Sequence, residues 1–129
     1  MWVDYMVDHL WVPIYYLRRN PAQANWLSGA IALAIIGLSL SPLAQLPDVP
    51  GSDKTHHLIA YAVLAIPTAI AMPLRIWMMA LLYICLGGMI ELTQPYVNRY
   101  GEWLDFTANM TGVLIGSVFG LLVDKYIKH

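Results

Sequence analysis

Residues 50–61, PGSDKTHHLIAY, place two charges and two histidines directly before a long apolar run. A second stretch, IELTQPYVNRYGEWLDFTAN at residues 90–109, surrounds Glu91 near the end of another apolar run. Ionisable side chains are rare beside such segments, because burying a charge costs free energy. The segments around these two stretches therefore decide both the fold class and where a functional site should be sought.

The composition is that of a membrane protein. The chain has 129 residues, of which 59% are hydrophobic and 12% charged. Soluble domains carry about twice that charged fraction, and a water-soluble protein of this size could not bury so much apolar surface. The sequence therefore predicts an all-α integral membrane protein. The net charge of −1 gives no reason to expect a nucleic-acid partner.

Four apolar segments come close to the roughly 20 residues that a spanning helix needs. They are predicted at about residues 26–43, 55–72, 76–94 and 105–123. The second is short, and it spans only if residues 53–55 form its first turn. We expect residues 21–129 to form one domain, a four-transmembrane-helix bundle.

The basic residues predict the orientation, because lysine and arginine accumulate in cytoplasmic loops. Five of the seven fall on one side of the predicted topology, namely Arg18, Arg19, Arg75, Lys125 and Lys128. Both termini are therefore predicted to be cytoplasmic. The two polar stretches then face outward, with two bases and five acids on their side: Lys54, Arg99, Asp48, Asp53, Glu91, Glu102 and Asp105.

The N-terminal segment, residues 1–20, has a different pattern. Within WVDYMVDHLWVPIYYL, residues 2–17, apolar side chains recur at helical spacing and aromatic side chains suit a membrane interface. This pattern favours an amphipathic helix on the cytoplasmic surface, with a fifth span as the alternative. Pro13 is expected to bend or end that helix.

The first polar stretch predicts a polar stripe on one helix face. Asp53, His57 and Tyr61 are each four residues apart, so they share a face. Lys54 flanks that face. Helix capping by Ser52 or Asp53 would explain the charged residues, but it does not explain a histidine and a tyrosine one and two turns further in.

Glu91 lies one turn before Pro95, near the C-terminal end of its helix. The helix dipole disfavours a carboxylate there, so Glu91 should either be protonated or be paired with a cation. Lys54, His57 and Arg99 are the candidate cations. Gln94 shares the face of Glu91.

The last segment carries Asp105, Asn109, Gly112 and Gly116 on one face. Asn109 needs a hydrogen-bonding partner at membrane depth, and the two glycines are predicted to pack helices closely. Three helices would therefore bring polar side chains to one outer depth. This cluster is either a functional site or a network that only fixes the packing of the helices.

Taken in order, these residues resemble the two signatures of the VanZ-like family. The match extends over about residues 26–120, with one departure in PYVNRYGEW, where relatives often have a Pro-Gly-Arg type of turn. The matching residues are Asp53, Lys54, His57, Tyr61, Glu91, Gln94, Arg99, Asp105, Asn109, Gly112 and Gly116. The resemblance implies a small protein of the bacterial cytoplasmic membrane. The founding member of the family is associated with low-level resistance to teicoplanin.

Our main functional hypothesis is an outward-facing pocket that binds the polar headgroup of a lipid-linked cell-wall precursor or of a lipoglycopeptide. Lys54 and Arg99 would contact phosphate or carboxylate oxygens. We expect no cofactor, and no metal either, because a metal site would need more than one well-spaced histidine together with acids. The candidate ligand-binding residues are Asp53, Lys54, His57, Tyr61, Glu91, Gln94, Arg99, Asp105 and Asn109.

Three alternatives stay open. A membrane-embedded enzyme acting on a lipid phosphate or acyl group would use Glu91 and His57 as acid and base, although no convincing nucleophile is present. A structural or accessory protein would use the polar cluster only to fix helix packing, and a homo-oligomer could form through glycine-rich helix faces. A proton-coupled transporter would need the chain to dimerise.

Overall fold

The computed structural model describes residues 1–42 and 50–129, apart from the side chains of residues 3 and 4. Within this part of the chain the fold is all-helical, as predicted from the sequence. The predicted outward position of Asp48 lies outside the described residues. The helices are α1 (Trp2–Arg19), α2 (Pro21–Ser39), α3 (Asp53–Ala71), α4 (Ile76–Thr93) and α5 (Trp103–Ile127).

The helix bounds refine the predicted spans. Helix α2 begins at Pro21, ahead of the expected start, because a proline fits the first position of a helix. Helix α3 begins at Asp53, so the charged residues do form its first turn. Helix α5 extends the predicted span at both ends. Helix α1 continues through Pro13 to Arg19, so Pro13 does not end it.

In the part of the chain that the structure describes, three helical segments are long and apolar enough to cross a membrane: Pro21–Ser39, Pro73–Val97 and Trp103–Ile127. They indicate a membrane protein. Helix α3 is less apolar because its first turn carries Asp53, Lys54 and two histidines. It also packs against each of the other four helices. Much of its surface therefore faces protein, which explains why it tolerates more polar side chains.

Helices α3 and α5 run parallel and in close contact. Gly112 faces the backbone of Leu58, and Gly116 faces the backbone of Ala62. A Cβ atom at either glycine would overlap that backbone, so the contact depends on having no side chain there.

This packing also bears on the expected homo-oligomer. The side of α5 that carries Gly112 and Gly116 is occupied by α3 of the same chain. An oligomer would need another face, such as that of Gly29 and Gly37 in α2, where an added Cβ would meet nothing within 4 Å. An oligomer through such a face stays a prediction.

Helix α4 runs antiparallel to α3. Its Tyr83 hydroxyl lies 3.0 Å from the Thr68 hydroxyl near the end of α3, whereas Glu91 lies beside His57 near the start of α3. The C-terminal end of α4 therefore lies beside the N-terminal ends of α3 and α5, and α2 also ends there. We call this the polar end.

At the opposite end, α1 is held against the end of α5. Arg18 Nε lies 2.9 Å from Asp124 Oδ1, and Lys128 Nζ lies 2.7 Å from Asp124 Oδ2. The rings of Trp11 and Tyr126 stack with centroids 5.3 Å apart. These contacts connect the N-terminal segment to the bundle.

Candidate functional site

Local chain geometry sets the position of α3 at the polar end. Gly51 has φ +106°, a backbone conformation that residues with a Cβ atom rarely adopt. The Ser52 hydroxyl then accepts a hydrogen bond from the Thr55 N–H at 3.2 Å and caps the helix. Because the helix begins here, Asp53 and His57 fall on successive turns of one face.

Three buried side chains from three helices meet beneath this end, and we call them the inner tier: His57, Glu91 and Asn109. His57 Nδ1 lies 2.8 Å from Asn109 Oδ1, and Asn109 Nδ2 donates to Glu91 Oε1 at 3.3 Å. His57 Nδ1 is also 3.6 Å from Glu91 Oε1. The expected convergence of α3, α4 and α5 is therefore present in the structure.

Glycines allow this convergence. An added Cβ at Gly87 would lie 3.1 Å from Asn109 Nδ2 and 3.3 Å from a ring carbon of Tyr61. An added Cβ at Gly101 would overlap the Glu91 carbonyl oxygen. Gly101 thus lets the loop pass over the end of α4, and the Glu102 N–H beyond it donates to Glu91 Oε2 at 3.2 Å.

Four charged side chains lie above the inner tier, and we call them the outer tier: Asp53, Lys54, Glu102 and Asp105. Lys54 Nζ lies 3.1 Å from Glu102 Oε2 and 3.5 Å from Asp105 Oδ1. The side chain of Asp53 is 60% exposed, whereas that of Asp105 is 3% exposed. The outer tier is therefore exposed to the surroundings at Asp53 and buried in the protein at Asp105.

Glu102 was not among the predicted binding residues. It precedes α5 and has two roles, since its side chain pairs with Lys54 and its backbone N–H donates to Glu91. Its position three residues before Asp105, at the start of the same helix, was the available signal. The hydrogen bond from the Glu102 backbone N–H to Glu91 could not be predicted from the sequence, because it does not depend on the type of side chain at position 102.

Tyr61 lies one turn beyond His57 on the same face, as predicted. It is 1% exposed, and its hydroxyl has no hydrogen-bond partner among the described residues. Its ring packs near Gly87. Tyr61 therefore lies deep in the bundle rather than in the outer tier.

Gln94 and Arg99 contact the end of α2 and belong to neither tier, and their predicted part in ligand binding stays a prediction. Gln94 Nε2 donates to the Ser39 carbonyl at 3.2 Å, and the Arg99 guanidinium donates to the Leu38 and Ser41 carbonyls at 3.3 and 3.1 Å. The last carbonyls of a helix have no partner within it, and a cation near them is favourable. Both side chains therefore cap the end of α2. Of the candidate cations, His57 is the one that lies beside Glu91, with Nδ1 3.6 Å from Glu91 Oε1.

A shallow cavity of about 370 Å³ lies over the loop that carries Arg99. Asn98 in this loop has φ +62°, a left-handed conformation that asparagine tolerates. The lining residues are Pro95, Asn98, Arg99, Tyr100 and Gly101. None of them belongs to the inner or outer tier, so this cavity is a separate feature.

The polar end carries excess negative charge. The described residues of the two tiers include four carboxyl groups and one lysine, and the lysine contacts two of the carboxyl groups. Arg99, the second expected cation, is directed at the end of α2. The arrangement therefore suits a cation, or a neutral group rich in hydroxyls, better than it suits a bare anion.

One subset of these residues has the composition of a metal site. Asp53, His57 and Asp105 each offer a ligand atom, and these atoms all lie within 4.8 Å of one another. From the sequence we expected no metal, on the ground that one histidine would not suffice. The structure places that single histidine beside two aspartates that lie 52 residues apart in the chain.

Comparisons with known proteins identify no relative. No protein-family model, no curated protein and no solved structure matches this chain. The resemblance to the VanZ-like family therefore rests on the order and spacing of the residues named above, and it stays a proposal.

Proposed function

We propose that the chain is a VanZ-like protein of the bacterial cytoplasmic membrane whose outer tier binds a polar headgroup from the outside. The headgroup would belong to a lipid-linked cell-wall precursor or to a lipoglycopeptide, which would connect the protein to teicoplanin resistance. The supporting observation is a group of partly exposed charged side chains that is fixed on a buried polar framework.

The proposal includes four membrane spans, with α3 added to the three segments that are apolar enough by composition. Helix α3 has 19 residues, or about 28 Å at 1.5 Å per residue, which approaches the thickness of the hydrocarbon core. Its lower hydropathy suits a helix that other helices surround. Helix α1 would lie at the cytoplasmic interface, where its exposed aromatic side chains fit: Trp2, Tyr5, Tyr15 and Tyr16.

The two tiers have different roles in this proposal. In the inner tier, both Glu91 oxygens accept hydrogen bonds and Asn109 bonds to both of its neighbours. This network is satisfied within the protein and fixes the three helices. In the outer tier, Asp53 and Lys54 are exposed at its open side. The outer tier therefore keeps the hydrogen-bonding capacity that a headgroup needs.

Lipid retention tests the proposal. The protein would be extracted in a mild detergent, and the lipid that purifies with it would be identified and quantified by mass spectrometry. We expect Lys54→Ala to lower the retained amount several-fold, in a salt-sensitive way. Lys125→Ala, an exposed lysine near the other end of α5, is the matched control. Equal retention by the wild type and both variants would overturn the binding role.

The approach of His57 to Glu91 keeps an enzymatic role as the second candidate. Under that role, Glu91→Gln would abolish turnover of a lipid substrate while lipid retention persists. If the cluster is only a scaffold, the same variant would lower the folded yield, and teicoplanin sensitivity of cells expressing Lys54→Ala would match that of the wild type.

A further inference from the structure

We propose that Asp53, His57 and Asp105 form a binding site for a divalent metal cation of the zinc class at the open side of the polar end. Their ligand atoms are within 4.8 Å of one another. One imidazole nitrogen with carboxylate oxygens is a donor set that zinc accepts. Three protein ligands would leave a coordination position open toward the exposed side of Asp53.

The inner tier fixes which nitrogen of His57 is available. The Glu91 carboxylate accepts from Asn109 Nδ2, which turns Asn109 Oδ1 toward His57 Nδ1. An amide oxygen only accepts hydrogen bonds, so the proton of His57 is on Nδ1. In the neutral imidazole the lone pair is then on Nε2, on the side of Asp53. Metal-binding histidines are oriented in this way, by a hydrogen bond from the other nitrogen.

The Nε2 side of His57, which faces Asp53, is therefore suited to a cation. Nε2 and Asp53 Oδ1 are 3.8 Å apart, beyond hydrogen-bonding distance. A lone pair and a carboxylate oxygen repel each other unless a cation or a hydrogen-bond donor lies between them. A metal ion that binds both atoms would remove this repulsion.

Asp105 gives an independent indication of a ligand. Its side chain is 3% exposed, and its buried Oδ1 has no hydrogen-bond partner among the residues that the structure describes. Lys54 Nζ is 3.5 Å from this oxygen but lies closer to Glu102, at 3.1 Å. A buried carboxylate is costly without a close partner. When a metal ion binds Asp105, Lys54 can stay paired with Glu102.

The site deepens the proposed headgroup function and rests on it for its biological role. A divalent ion would offset the excess of carboxyl groups, and its open position could accept a phosphate or carboxylate oxygen. Metal binding can nevertheless be measured without any lipid. The two proposals can therefore fail separately.

The test is a zinc titration of the full chain in detergent, after removal of bound metal with a chelator. We expect one ion per chain. Asp53→Asn and His57→Gln should each weaken zinc binding by at least about ten-fold. Asp53 is exposed, so its substitution leaves the fold intact even if variants of the buried residues do not fold. His56→Gln is the matched control, since His56 bonds to the Pro50 carbonyl instead.

Lys54→Met distinguishes the metal site from an anion site. It removes the cation that competes for Asp105, so zinc should bind more tightly, whereas retention of an anionic headgroup should weaken. Absence of zinc binding, or equal affinity in Asp53→Asn and His56→Gln, would overturn the metal site. Lys54-dependent lipid retention in that case would leave the headgroup proposal standing.

Discussion

The two ends of α5 each bury an aspartate, but they neutralise it differently. Asp124 lies 2.9 Å from Arg18 and 2.7 Å from Lys128, and its side chain is 5% exposed. Asp105 has a single lysine at 3.5 Å, which it shares with a closer glutamate. Burial of a carboxylate therefore does not by itself indicate a functional site. Incomplete neutralisation of a buried carboxylate is the more informative sign.

The difference extends to the surroundings. Around Asp124, two basic side chains face one acid, and the contact attaches α1 to the bundle. Around Asp105, acids outnumber the lysine and the group is open on the side of Asp53. We interpret the first end as an anchor and the second as a site, and the following variants test that interpretation.

The largest expected effect comes from removing both cations at the anchor. In the double variant Arg18→Ala, Lys128→Ala, the buried Asp124 has neither of its partners. An uncompensated buried charge of this kind costs about 3–5 kcal/mol. The unfolding free energy in detergent should fall by that order, and α1 should become sensitive to protease. An unchanged unfolding midpoint would contradict the anchor role.

Asn109→Ala should have the next largest effect, through the inner tier. It removes the amide that joins His57 to Glu91, and it leaves buried polar atoms unpaired at about 1–3 kcal/mol each. The measurement is again the unfolding free energy. Thr107→Ala is a suitable control, because Thr107 is exposed on the same helix and bonds only to the helix backbone in the described contacts. Similar stability of the two variants would argue against an inner tier that fixes the helices.

A smaller effect should separate the two aspartates directly. Asp124→Asn weakens two close ion pairs and should cost about 1–3 kcal/mol. Asp105→Asn should change stability by less than about 0.5 kcal/mol or increase it, because it relieves an excess of acids. Equal losses in both variants would mean that the two ends are alike, and the site interpretation would lose its basis.

Much of the fold followed from the sequence because its causes are local. Long apolar runs predicted α2, α4 and α5, and Gly51 with Ser52 marked where α3 begins. Helical spacing placed Asp53, His57 and Tyr61 on one face. The polar residues needed partners at membrane depth, so the meeting of His57, Glu91 and Asn109 could be inferred as well.

The remaining features depend on contacts between distant segments. We predicted Arg99 to be a cation of the site, but it donates to two carbonyls at and just after the end of α2, about 60 residues earlier. Gln94 likewise donates to a carbonyl at the end of α2, that of Ser39. The pairing of Arg18 with Asp124 joins the two ends of the described chain. Such pairings depend on how helices dock, which hydropathy and spacing do not specify.

We propose that the incompletely neutralised end faces the outside of the cell and that the anchor faces the cytoplasm. A Cys85→Ser background allows single cysteines to be introduced as Asp53→Cys or Lys128→Cys, both at exposed positions. Labelling with a membrane-impermeant maleimide should modify the Asp53→Cys variant in intact cells, and the Lys128→Cys variant only after permeabilisation. Labelling of Lys128→Cys alone in intact cells would contradict the account.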